Sequence, residues 1–72
     1  MRITYDPEVD ILRILFSGAR IDVSDEEKPG IILDYDAEGN VVGLEILDAS
    51  ERMGDPQTVE YVVRPAAQQK AA

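Results

Sequence analysis

Four carboxylates in the middle of the chain are spaced as ligands of a divalent cation would be. Asp34, Asp36 and Glu38 occupy alternate positions, Gly39 follows, and Glu45 comes after five more residues, a near-match to the calcium loop D-x-D-x-E-G-x₅-E. Calcium takes about six to eight oxygens, and the helix–loop–helix version supplies them by wrapping the chain around the ion. Here the third ligand is the longer Glu38, and Val42 stands where a polar residue is usual. The flanks, IILDYD and VVGLEIL, have strand composition. An extended hairpin would hold Asp34 and Glu45 on opposite strands, diagonal neighbours about 7 to 8 Å apart, too spread to wrap one ion. Turn chemistry is therefore the preferred reading and no metal is assigned, with Asp34, Asp36, Glu38 and Glu45 kept as the alternative ligand set.

The same residues suggest a hydrolase. Asp34 and Asp36 at i and i+2 of a strand project from one face about 7 Å apart, a separation used by inverting glycosidases. The other parts of such a site are missing from the sequence. There is no histidine to carry protons near neutral pH, no cysteine, no glycine-rich phosphate loop and no nucleophile elbow. A chain of 72 residues also offers little cleft in which to bury a substrate. No catalytic residue and no cofactor follow, and a small carboxylate enzyme or cation-binding protein using Asp34, Asp36 and Glu45 is the alternative to a non-enzymatic interaction module. Gly43 falls opposite Asp34 and could leave a notch for a ligand, although a strand glycine more often marks a bulge or a close backbone contact.

These residues are positioned by a hairpin over Gly30 to Ser50. Matching faces places Ile31 opposite Ile46, Leu33 opposite Leu44 and Tyr35 opposite Val42, whereas a one-residue slip would set Leu33 against Gly43 and Ile31 against Glu45. That register predicts an even-membered loop, Glu38-Gly39 or Ala37 to Asn40, with Gly39 or Asn40 at positive φ. Ile3 to Tyr5 reads as a first strand, stopped by a turn over Asp6 to Asp10 that the Asp6 side chain caps. Ile11 to Ser17 is a second strand and Ala19 to Val23 a short third, followed by an acidic loop over Ser24 to Gly30. Ser50 is expected to cap one helical turn ended by Gly54, and the alternating Thr58 to Arg64 to form the last strand. The fold class is mainly β, a small antiparallel meander of four to five short strands with one or two helical turns; a small α+β fold is the alternative. Residues 1–64 form one domain, and 65–72, with no large apolar side chain, a disordered tail.

Fifteen acidic and seven basic residues give a net charge of −8. Such a surface repels phosphate, so nucleic acid is not expected as a partner, while a basic protein is compatible. No stretch has the apolar length of a membrane span or a secretory signal, which predicts a cytoplasmic protein with no membrane contact. With no disulfide or zinc ligands to staple a thin core, self-association is the remaining remedy. Strand parity supplies the surface: a second face carrying Ile11, Leu15, Ile32, Leu47 and Val62 among Arg13, Asp34, Glu45 and Glu60, too apolar for a solvated face. A homodimer through those five aliphatics is expected, the competing possibility being that the terminal segment covers them.

Taken together, YDPEVD near the start and GIILDYDAEGNVVGLEILDAS resemble the signature of a family of small prokaryotic proteins classed as a domain of unknown function, over roughly Met1 to Ser50. The resemblance implies a single small domain with no established activity and no functional residues to transfer. Some members are associated with small toxin-like proteins encoded beside them, which implies a protein partner of that kind.

Overall fold

The computed structural model describes residues 1–66. Five strands, β1 (Arg2–Asp6), β2 (Ile11–Leu15), β3 (Val23–Lys28), β4 (Ile31–Tyr35) and β5 (Val41–Leu47), precede one short helix, α1 (Ala49–Met53). They form a single sheet in the order β1-β2-β5-β4-β3, every neighbouring pair antiparallel. The mainly β fold and its antiparallel sheet are thus as the sequence predicts. Two hairpins, β1-β2 and β3-β4, flank β5, so the last strand in sequence is the middle strand in space.

The central register holds for four residue pairs. Ile31 faces Ile46, Ile32 faces Glu45, Leu33 faces Leu44 and Asp34 faces Gly43; a bulge at Asp34/Tyr35 then sets Tyr35 against Val41 rather than Val42. The loop between the strands consequently has an odd number of residues, Asp36 to Asn40, instead of the even number expected. Face matching cannot foresee a bulge, which admits one extra residue without turning the remaining side chains over. Gly39 takes the positive φ, 87°.

Three other segments depart from expectation. The short strand expected over Ala19 to Val23 is absent, β3 beginning only at Val23. The acidic stretch Val23–Lys28 is a strand, not a loop; it lies at the sheet edge with every residue exposed, so no apolar periodicity marks it. Thr58 to Arg64 alternates like a strand and is in none. Of the predicted tail, residues 67–72 lie outside those described.

Side-chain alternation divides the sheet into two faces. One carries Ile3, Tyr5, Leu12, Ile14, Leu44, Ile46, Ile31 and Leu33, and the segment Pro56 to Val59 crosses its β1-β2 end, enclosing a cleft of about 500 Å³ with Ile3, Tyr5 and Leu12. The other carries Ile11, Leu15, Ile32 and Leu47 with Arg13, Asp34 and Glu45, as parity predicts. Val62 is the exception: it sits in the unpaired terminal segment, not on the sheet. Among the described residues Leu12, Val42 and Ala49 are the buried hydrophobics, as a one-layer sheet dictates.

Candidate functional site

Two arrangements bring polar chemistry together. The first is built by Asp10, at the end of the β1-β2 turn with φ at 57°. Asp6 caps that turn, its Oδ1 accepting from Glu8 N at 2.9 Å. At the far end the Asp10 carboxylate accepts three hydrogen bonds: from the Tyr5 hydroxyl at 2.6 Å, Ser50 N at 3.0 Å and the Ser50 hydroxyl at 2.7 Å. Its carbonyl also accepts from Ala49 N at 3.0 Å. Ser50 is therefore not the expected helix cap. Asp48 precedes the helix in a left-handed conformation without a side-chain cap bond, and Asp10, 40 residues upstream of Ser50, satisfies the first free N–H groups instead. Gly54 ends the helix as predicted.

The electrostatics of this cluster follow from those bonds. The hydrogen bond from Tyr5 and the two from Ser50 hold the Asp10 carboxyl below its ordinary range. The same Tyr5–Asp10 bond, helped by partial desolvation and by the nearby charges of Asp10, Asp6 and Asp55, pushes the Tyr5 phenol up to about 12. Tyr5 is thus a donor held in its protonated form and Asp10 its ionised acceptor; neither is poised as a base near neutral pH. Asp10, Asp48 and Glu51 bring carboxylate oxygens within 4.8 Å of one another. Within it, the Asp10 bonds to Ser50 and Tyr5 fix α1 to the β1-β2 turn.

The second arrangement centres on Asp34. It is 1 % exposed, its Oδ1 accepts from the Ser24 hydroxyl at 2.5 Å, and its Oδ2 is buried with no hydrogen-bond partner. Opposite lies Gly43, where a Cβ would stand 2.6 Å from Asp34 Oδ2 and 3.3 Å from both Asp34 Cβ and Leu15 Cδ2. The notch left by Gly43 is filled by the chain's own carboxylate.

The four carboxylates of the calcium-like spacing have separate surroundings. Asp36 closes the β4-β5 loop, its Oδ1 accepting from Glu38 N at 3.0 Å and Asn40 N at 2.8 Å and its Oδ2 from Asn40 Nδ2 at 3.0 Å; the Asn40 bonds lead in keeping its carboxyl below the usual range. Glu38 is exposed in that loop. Glu45 faces Arg13 and Ile32 across the sheet, diagonal to Asp34. Because Asp36 has left the strand, it does not share a strand face with Asp34.

Sequence reasoning missed Asp10 and Arg52. Arg52 Nε donates to Leu47 O at 3.0 Å and Nη2 to Pro29 O at 2.5 Å, laying the guanidinium over Gly30 and tying the β3-β4 turn to the start of the helix. A signal for Asp10 does exist. YDPEVD and LDAS, the outer ends of the shared pattern, are joined through Tyr5, Asp10 and Ser50.

An open antiparallel sheet stapled by one short helix defines a small, mainly β domain. The chain belongs to the family described as protein of unknown function (DUF2283), whose model matches residues 2–50. No curated protein and no solved structure matches it. Among the described residues, no helix is long and apolar enough to cross a membrane.

Proposed function

We propose that the protein is a non-enzymatic interaction module that pairs with a second copy of itself through the sheet face bearing Ile11, Leu15, Ile32 and Leu47. The supporting observation is that face. All four aliphatics are half-buried, leaving part of each accessible, and a cleft of about 290 Å³ opens beside Ile11 and Leu15. The same face carries charges of both signs, Arg2 and Asp6 on β1, Arg13 on β2, Glu45 on β5, Asp34 on β4 and Glu26 on β3. A two-fold pairing can therefore set unlike charges against one another, as an isologous interface needs.

A second reading, a basic protein partner, is favoured by the exposed acidic run Asp25, Glu26 and Glu27 on β3. Light scattering during gel filtration tests the first. The wild type should exceed the 8.0 kDa chain mass and Ile32→Lys should halve the measured value. A strict 8.0 kDa species at high micromolar concentration, or a mass unchanged by Ile32→Lys, refutes pairing through this face.

A further inference from the structure

The chain holds both a strand without a sheet and a sheet edge without a strand. Thr58 to Arg64 alternates with period two, yet it pairs with no strand among the described residues, and Val59, Tyr61, Val62 and Val63 are all exposed, Tyr61 by 77 %. Four large apolar side chains left in water along one short arm forgo substantial stabilisation.

The two sheet edges differ in how they would receive such an arm. β3 is guarded by Asp25, Glu26, Glu27 and Lys28 and interrupted by a bulge between Glu26 and Lys28, both devices that block strand addition. β1 has neither. It runs in regular register from Arg2 to Asp6, with charges only at its two ends. We infer that the arm of one copy adds to the β1 edge of a second copy as a sixth strand, running parallel to it.

The direction follows from the charges. Apolar matching requires Tyr61 and Val63 to share a face with Ile3 and Tyr5. In the parallel register that does so, Arg2 lies beside Glu60 and Asp6 beside Arg64, with Thr4 beside Val62. Of the antiparallel registers with the same face, one sets Arg2 against Arg64 and Asp6 against Glu60, and like charges directly opposite are destabilising. The next sets Arg2 against Val62 and Asp6 against Thr58, leaving no opposed ion pair.

The same choice separates a second copy from the arm's own sheet. The arm springs from the Asp55-Pro56 turn, pinned by Gln57 N and Thr58 Oγ1 on the Asp55 carboxylate at 3.1 and 2.6 Å. Pro56, Gln57 and Val59 line one cleft with Ile3, Tyr5 and Pro7, so the arm starts over its own β1 strand. To run parallel along its own edge it would have to reach Arg2 by Glu60 and reverse there at once, a tight fold that the edge of a second copy does not require. The charge-matched register belongs to another molecule, and reciprocal exchange closes it as a two-fold pair.

The contact uses an edge and an arm, so it is separable from the sheet-face contact. In full-length Ile32→Lys, where the face is disabled, the expected mass is twice the 8.0 kDa of one chain, half that of a wild type joined through both contacts. Adding Arg2→Glu should move the dissociation midpoint about tenfold or more to higher concentration, and Glu60→Arg on top should restore it. An independent measurement uses the wild-type background. Thr4→Cys/Val62→Cys introduces the only two thiols, and mild oxidation should give a disulfide between chains. A monomeric Ile32→Lys, a dimer indifferent to Arg2→Glu, failure of Glu60→Arg to restore it, or a disulfide formed only within one chain overturns the inference.

Discussion

Replacing Gly43 by alanine tests how tightly the centre of the sheet is built. The added Cβ would stand 2.6 Å from Asp34 Oδ2, with Asp34 Cβ and Leu15 Cδ2 both at 3.3 Å. Contacts this short do not persist, so the carboxylate must move, and it is 1 % exposed, held at Oδ1 by Ser24 on the edge strand. Overpacking a closed site costs about 1 to 3 kcal/mol, and in a domain of this size each kcal/mol lowers Tm by roughly 4 to 8 °C. Gly43→Ala should therefore melt roughly 5 to 20 °C below the wild type, read by circular dichroism at fixed protein concentration. The cause is isolated by a double-mutant cycle. Asp34→Ala removes both the clashing atom and a buried oxygen without a donor, an arrangement that costs about 1 to 3 kcal/mol. Gly43→Ala/Asp34→Ala should then lose much less than the single Gly43 change. If Gly43→Ala melts within a degree or two of the wild type, or Asp34→Ala gives no relief, the close approach does not govern this site.

Two further outcomes follow from the links to the helix. Because the folded Tyr5 phenol lies above its unfolded value near 10, its contribution to stability is complete below pH 10 and is lost as pH rises towards about 12; Tyr5→Phe should flatten that part of the base-denaturation curve, and an unchanged curve would count against the Tyr5–Asp10 bond. Arg52→Ala removes two exposed hydrogen bonds to backbone carbonyls and should cost about 1 kcal/mol, a Tm fall of roughly 4 to 8 °C, with faster amide exchange at Leu47, whose N–H donates to Gly30 O; no change in exchange would show that the guanidinium does not tie the turn to the helix.

Much of the sheet was legible because strand faces repeat every second residue. Ile31, Leu33, Leu44 and Ile46 could be paired by type alone, and that pairing gave the two faces of β4 and β5. The bulge after Asp34 escaped, since it changes spacing without changing which side chains are apolar. β3 escaped because an edge strand exposed on both faces has no burial to impose a pattern, only backbone bonds to β4. Thr58 to Arg64 failed in the opposite sense: its alternation is plain, but local pattern cannot say whether a partner strand is present. As for the polar sites, Asp6 serves its turn as its neighbours suggested, whereas Asp10 acts on Ser50 across 40 residues of chain, a separation at which spacing carries no information.

The position of β5 also governs the order of assembly during synthesis. β1-β2 and β3-β4 leave the ribosome first, each with a strand edge that only Val41–Leu47 can cover. Neither hairpin is stable alone, and each presents an open ladder to neighbouring nascent chains. Completion of the sheet therefore waits for nearly the whole family-matched segment to be translated, and the seven residues of β5 then close both seams together. A stall or cleavage before Val41 would release two unjoined hairpins rather than a smaller version of the domain.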